Sequence, residues 1–302
     1  MQPALLGVLL GLAAVLLTLR LGNAGRREEP PMQTIMPFAT DVTDSAPAAP
    51  TPAESPEPTA AAAPDPALAA ALEELVQTQP GRWSLYYAPL PEGEPVTAAT
   101  DGKPFVSASL IKLFIMGAAY EQMEQGQLER ETVEPLLRAM ITVSDNASAN
   151  RLILLLGEGD AENGMAAVNA WCVACGYADT RLNRLMLAEN DLQNYTSAAD
   201  CAAFLTQVYR GACVSPEASR EMLALLLEQK VNDRLPARLP TGTPVAHKTG
   251  DLSGLSCCDA GIVFSPGGDY LLCVLCNDPP SDQAARDAIA ALSEGIYAIV
   301  NP

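Results

Sequence analysis

Three strand-like runs follow one another near the end of the chain: TPVAHKTG (243–250), CDAGIVFSP (258–266) and DYLLCVLCN (269–277). They are rich in apolar and β-branched residues, and Gly267-Gly268 supplies a hairpin turn between the last two. Their pairing partners lie far upstream, in RWSLYYAPL (82–90) and in the region PVTAATDGKPFVSA (95–108), where Asp101-Gly102 marks a turn. Between the two groups the spacing of apolar residues predicts helices over 109–125, 130–141, 147–156, 164–175, 197–210 and 216–229, while 178–197 has little periodicity and reads as a long loop. Helical patterns also open (67–79) and close (282–299) this part of the chain. One sheet must therefore draw strands from both ends. The expected fold is α+β: a five-stranded antiparallel sheet flanked by helices, with an inserted all-helical subdomain. A cleft between the two parts is the natural place for a site.

The segment ahead of this unit has another character. Residues 3–19, PALLGVLLGLAAVLLTL, carry no charge, and their length falls between a secretory apolar core and a membrane span. Gly22 and Ala24 suit a signal peptidase, whereas Arg20, Arg26 and Arg27 stand on the side that the positive-inside rule calls cytoplasmic. Residues 1–27 read as a signal peptide or a membrane anchor, with export and a retained anchor as the expectation. Residues 28–66 hold ten prolines, seven carboxylates and no Lys or Arg. Such a stretch buries too little apolar surface to offset its chain entropy and reads as a disordered tether. The globular unit is then 67–302, in an extracytoplasmic setting. It carries 15 basic and 29 acidic side chains, a charge near −14. That balance argues against nucleic acid and anionic lipid as partners, so membrane contact is expected only through the N-terminal segment. The unit is expected to be a monomer.

All eight cysteines fall in this unit. Cys172 and Cys175 are spaced CxxC, as are Cys273 and Cys276, and Cys257 adjoins Cys258. A four-thiolate metal site is one reading. Yet the odd spacing of Cys273 and Cys276 on a strand sends them to opposite faces, and Cys172 and Cys175 lie in an apolar helical stretch where Cys packs as a small hydrophobe. No metal and no cofactor is expected.

FVSASLIKLFIM (105–116) places a lysine, Lys112, among apolar residues, three positions after Ser109. Helical spacing puts the two on one face. A lone lysine there usually snorkels to water. With partners, an ammonium held in an apolar pocket has a lowered pKa and can accept a proton from a nearby hydroxyl, which becomes a nucleophile. Two further motifs supply partners. Ser144-Asp145-Asn146 precedes the helical run ASANRLILLL, where by itself it reads as an N-cap cluster. Lys248-Thr249-Gly250 ends the run TPVAH, where by itself it reads as a strand entering a turn. His247 is the only histidine; it adjoins Lys248, so on a strand it points to the other face and reads as structural.

SxxK opening a helix, SDN in the helical block and KTG at a later strand form one motif set in one order. The chain resembles the class A β-lactamases and penicillin-binding proteins, the penicillin-recognising serine hydrolases, over most of residues 67–300. FVSASLIKLFI, MITVSDNASANRLI and LPTGTPVAHKTGD all look like segments of that family. The resemblance implies that Ser109 attacks an amide carbonyl and is acylated, that Lys112 helps to deprotonate it, and that Ser144 relays a proton to the leaving nitrogen. It implies that Asn146 bonds the substrate's side-chain amide, and that Lys248 and Thr249 bind its carboxylate. It further implies that Gly250 belongs to the substrate-binding strand and that the N–H groups of Ser109 and Asp251 form the oxyanion hole. The implied substrate is a β-lactam or a peptidoglycan peptide.

One position departs from the family. Its loop arginine is followed two residues later by the glutamate that activates the deacylating water. Here the loop reads TRLNRLMLAEN (180–190), and if Arg184 is that arginine, Met186 stands at the glutamate position. A thioether is no general base. Asn190 falls at the family's loop asparagine, and Glu189 is the nearest carboxylate in the loop. Three outcomes follow: a β-lactamase that turns over slowly, a cell-wall DD-peptidase, or a sensor that stays acylated.

Overall fold

The computed structural model describes residues 66–302. The expectations for 1–27 and for 28–65 lie outside the described residues. Pro66, assigned above to the tether, is instead the first residue of helix α1 (Pro66–Thr78), a position where the missing N–H of proline costs nothing. The strands are β1 (Arg82–Pro89), β2 (Val96–Ala99), β3 (Phe105–Val106), β4 (Tyr195–Thr196), β5 (Val245–Leu252), β6 (Ser256–Val263) and β7 (Tyr270–Asn277). The further helices are α2 (Ile111–Glu124), α3 (Arg130–Thr142), α4 (Asn146–Leu156), α5 (Ala161–Ala174), α6 (Ala198–Tyr209), α7 (Pro216–Leu227) and α8 (Asp282–Val300).

Five strands form one antiparallel sheet in the order β2-β1-β7-β6-β5. The two ends of the folded unit meet where β1 pairs with β7, Trp83 opposite Cys276. The fold is the expected α+β arrangement. β6 and β7 are buried along their whole length because helices cover both faces. On one face Trp83, Leu85 and Val274 pack with Leu72 of α1 and Ile289 and Ile296 of α8. On the other, Ala260, Cys273 and Leu275 join Phe114 of α2 and Phe204 of α6, whose rings lie 5.7 Å apart. Cys273 and Cys276 thus belong to opposite faces. All eight cysteines are free thiols, and burial pushes Cys172, Cys213 and Cys258 up to about 12. Among the described residues no helix is long and apolar enough to cross a membrane, and no group of three or more His, Cys, Asp or Glu is placed to hold a metal.

α2 is buried on every side from Ile111 to Tyr120, as suits a helix with no polar face in the centre of a core. The five helices α4 to α8 start on short polar caps: Asp145, Asp160, Ser197, Ser215 and Ser281 each accept the backbone N–H three residues on.

Four local expectations are corrected. The strand region 95–108 is two strands, because β3 leaves the sheet and pairs with β4, inside the segment read as a loop. The backbone N–H of Val106 donates instead to the Asn277 side chain at 2.8 Å. The helix expected from Ser109 begins at Ile111, after a 3-10 turn over Ala108–Leu110. KTG does not end its strand. β5 runs two residues further because Asp251 and Leu252 pair with Cys257 and Ser256, and Gly254, at φ +70°, makes the turn.

Candidate active site

Ser109 sits in the 3-10 turn that leads into α2. Two sheet residues hold the segment before it: Asn277 Oδ1 accepts from Val106 N, and Ser256 Oγ donates to Val106 O at 2.8 Å. Ala108, next to the serine, has φ 44°, the left-handed region that costs a non-glycine residue about 1 kcal/mol or more. Behind the turn lies Gly250 of β5. A Cβ built there would come within 3.3 Å of Ser109 N and 3.0 Å of Ser107 O, a tight contact that glycine avoids. The side chain of Ser109 has no hydrogen-bond partner among the described residues, and it lines a small cavity of about 60 Å³.

Lys112 lies one 3-10 turn on, where i and i+3 share a side. It has no exposed surface. Its ammonium donates to Ser144 O at 2.7 Å, to Asn146 Oδ1 at 2.7 Å and to Ser144 Oγ at 3.2 Å. Burial lowers it to about 8, and nearby Asp145 opposes the shift. Ser144 precedes α4 at φ 59°, a second non-glycine residue in the left-handed region. That conformation turns both its carbonyl and its hydroxyl to Lys112, while Asp145 caps α4 by accepting Ser148 N at 2.7 Å.

Lys248 reaches the same hydroxyl from β5. It too is fully buried, and it donates to Ser144 Oγ at 2.9 Å and to Thr249 O at 2.8 Å. Burial and then the neighbouring Lys112 cation lower its pKa well below the ordinary lysine value. Ser144 Oγ therefore accepts from two lysines. Both lone pairs are used, so its own proton must point elsewhere. His247 faces away, as expected: its ring lies 2.9 Å from Asp259 Oδ1 and 2.9 Å from Asn232 Oδ1.

Residues 183–194 form the opposite wall. Asn194 Oδ1 accepts from Asn183 N and Arg184 N, and its Nδ2 donates to Arg184 O at 3.1 Å, which ties the two ends of the loop. Asn150 of α4 clamps Met186: it accepts Met186 N at 2.7 Å and donates to Met186 O at 3.1 Å. Met186 is buried and lines the cavity with Ser109 and Asn146. Glu189 and Asn190 are exposed, and neither lines that cavity; Asn190 Oδ1 accepts Leu192 N at 3.1 Å.

The structure thus brings Ser109, Asn146 and Asp251 to one cavity, joins Lys112, Ser144 and Lys248 to Asn146 through hydrogen bonds, and sets Gly250 against the Ser109 backbone, with Thr249 buried on the same strand. It also brings in residues the sequence reading did not single out. Asn150 was signalled only by its place one turn after Asn146 on α4. Asn194 and the Asp251 partners Arg234 and Arg286 carried no local signal. A larger cavity of about 490 Å³, lined by Tyr120, Glu134, Arg138 and Glu221 among others, holds none of the motif residues.

Comparison with known proteins agrees with this arrangement. The sequence model of the beta-lactamase enzyme family matches residues 67–133 and 129–300. The Nocardia farcinica (strain IFM 10152) protein Beta-lactamase FAR-1 is 29% identical over 175 residues, which are 56% of this chain and 54% of that protein, so the match spans about half of that curated relative. The solved structure of PBP-A superposes with a TM-score of 0.68 at 26% identity, covering 78% of this chain and 96% of that one. Its L158E mutant, solved as an acyl-enzyme complex with penicillin G, fits equally well. An ancestral (GNCA) class A β-lactamase gives 0.67 at 26% identity over 77% of this chain and 99% of that one.

Proposed function

Because the chain belongs to the beta-lactamase enzyme family, we propose that it is a serine hydrolase that forms an acyl-enzyme on Ser109 and releases it slowly. The observation that carries this reading is the buried contact of Lys112 and Lys248 with one hydroxyl, Ser144, beside Ser109. Lys112, at about 8, sheds its proton close to neutral pH. In its neutral form it takes the Ser109 proton as Oγ bonds to the carbonyl carbon of a β-lactam or related amide. The Ser109 and Asp251 N–H groups hold the developing oxyanion. The C–N bond then breaks, and the nitrogen receives the Ser144 proton, which Lys112 replaces. Asn146 bonds the substrate's side-chain amide, and Lys248 and Thr249 take its carboxylate. β5 is an edge strand, so a peptide-like substrate can lie along its outer backbone.

Hydrolysis of the ester needs a base for water. Met186 lines the cavity where the family carries a glutamate, and its sulfur accepts no proton from water. This favours a second reading of the same chemistry: a penicillin-binding peptidase or sensor of peptidoglycan peptides that stays acylated by β-lactams. The acidic balance of the unit and the apolar start of the chain suit an extracytoplasmic monomer tethered to a membrane.

Intact-mass spectrometry of the protein mixed with benzylpenicillin, followed over time, tests both readings. The expected result is an adduct of one penicillin that forms quickly and decays over many minutes, and that is absent from Ser109→Ala. An adduct that clears as fast as it forms would place a working base in the loop. An adduct on Ser109→Ala would remove Ser109 as the nucleophile.

A further inference from the structure

Two charged residues line the cavity beside Ser109, Asp251 and Arg184. The charge of Asp251 is answered by Arg234 and Arg286. Arg184 has no such answer. Its guanidinium donates to two neutral oxygens, Gln193 Oε1 at 3.2 Å and Leu185 O at 3.3 Å, both at the long end for such bonds. It forms no ion pair among the described residues, although the unit carries 29 acidic side chains against 15 basic ones. The acids of its own loop, Glu189 and Asp191, are exposed. Its Nε is buried and has no hydrogen-bond partner. A buried donor without an acceptor is costly, and a guanidinium out of water is ordinarily met by a carboxylate. Holding the loop does not account for the charge, because Asn194 already ties the loop ends through Asn183 N, Arg184 N and Arg184 O.

The place of this cation is informative. The cavity of about 60 Å³ has room for about two water molecules, so a group that enters it is close to all of its lining. Asn146 lines it too, and in the reading above Asn146 bonds the side-chain amide of the acyl donor. The donor's carboxylate lies at the other end, with Lys248 and Thr249. What reaches Arg184 is therefore the acyl side of the donor. Gln193, also in the lining, sits where a glutamate of the same length would neutralise the arginine from within the protein.

We propose that Arg184 is a specificity-determining residue that binds a second anionic group, carried on the acyl side of the donor. The proposal rests on the reading that Ser109 is acylated, and it names the substrate class: amides with a carboxylate at each end, one for Lys248 and Thr249 and one for Arg184. A carboxylate supplies the acceptor that the guanidinium lacks, and its two oxygens match the fork of guanidinium N–H groups.

The test reads binding apart from chemistry. In the Ser109→Ala background, isothermal titration calorimetry compares benzylpenicillin with carbenicillin, which differ by one carboxylate on the acyl side chain. Carbenicillin should bind about tenfold tighter, and the preference should shrink at high salt. Gln193→Glu, which gives Arg184 an internal partner of unchanged length, should cut the preference to within about twofold. Arg184→Gln should do the same, and Arg184→Lys should keep part of it. A thermal melt of each variant checks that it is folded, and Gln193→Glu decides the matter if the arginine variants are not. Equal affinities in the parent protein, weaker binding of carbenicillin, a preference that survives Gln193→Glu, or no binding of either penicillin would overturn the proposal. Failure of the acylation reading appears separately, as a protein with Ser109 intact that keeps the preference for carbenicillin and forms no adduct.

Discussion

The two walls of the cleft are built in opposite ways. The wall of α2, the α3–α4 turn and β5 buries two lysines without exposed surface, and each finds hydrogen-bond partners in Ser144 and its neighbours. The wall of residues 183–194 has little regular structure. Its shape comes from two amide side chains, Asn150 and Asn194, bonded to its backbone, and it places Met186 in the cavity lining together with Arg184, Leu187, Gln193 and Asn194. The first wall can carry charge because helix and strand converge there and supply acceptors to both buried ammonium groups. The second presents no carboxylate or imidazole to the cavity. On the proposed mechanism, attack on a carbonyl and release of the product would draw on different walls, so each could be altered alone.

The largest effect should come from the first wall. Lys112→Ala is expected to slow acylation of Ser109 by about 10²- to 10⁴-fold, the usual worth of a positioned base, measured by stopped-flow with a chromogenic β-lactam. In the wild type the acylation rate should climb between pH 6 and 9 with a midpoint near 8, as Lys112 loses its proton. Stability follows the same group. Its pKa is lowered on folding from 10.5 to about 8, so below 8 both states are protonated and the burial penalty is present in full. Between about 8 and 10.5 the unfolded state binds more protons, so this contribution to stability rises with pH. The difference in denaturant midpoint between the wild type and Lys112→Met should therefore shift in favour of the wild type across that range. A flat acylation profile would mean that Lys112 is not the base.

The second wall should respond in the opposite step. Met186→Glu is expected to shorten the acyl-enzyme lifetime about a hundredfold while changing acylation by only a few-fold. Met186→Gln, with the same shape and no base, should leave the lifetime within a few-fold. A lifetime restored equally by Gln would point to water access and not to proton transfer. The smallest effect is expected at Glu189→Gln. That carboxylate is exposed and lines no part of the cavity, so deacylation should stay within about twofold. A large loss there would mean that the loop rearranges around the bound acyl group.

Much of the first wall was legible in the sequence, because SxxK, SDN and KTG are local spacings and local spacing fixes which residues share a side of a helix or strand. The opposite faces of Cys273 and Cys276, and the turning away of His247 from Lys248, followed from the same period of two. The second wall was legible only as a departure at Met186. What holds that residue, Asn150 on a helix 36 positions away, leaves no mark in the loop itself. The strand region 95–108 was misjudged for a like reason: its second half gives up the main sheet for β4 and for the Asn277 side chain, both far off in sequence.

The sequence by itself determined the order of elements, the sheet built from both ends of the folded unit, and the motif spacings that mark Ser109 as the proposed nucleophile with two lysines, since these rest on periodicity and short-range spacing. Only the tertiary structure decided that both lysines meet on one hydroxyl, that Asp251 takes two arginines, and that Met186 closes the far wall. Those contacts join residues tens to more than a hundred positions apart. Their energy depends on which groups burial leaves without water, and that is set only once the whole chain has packed.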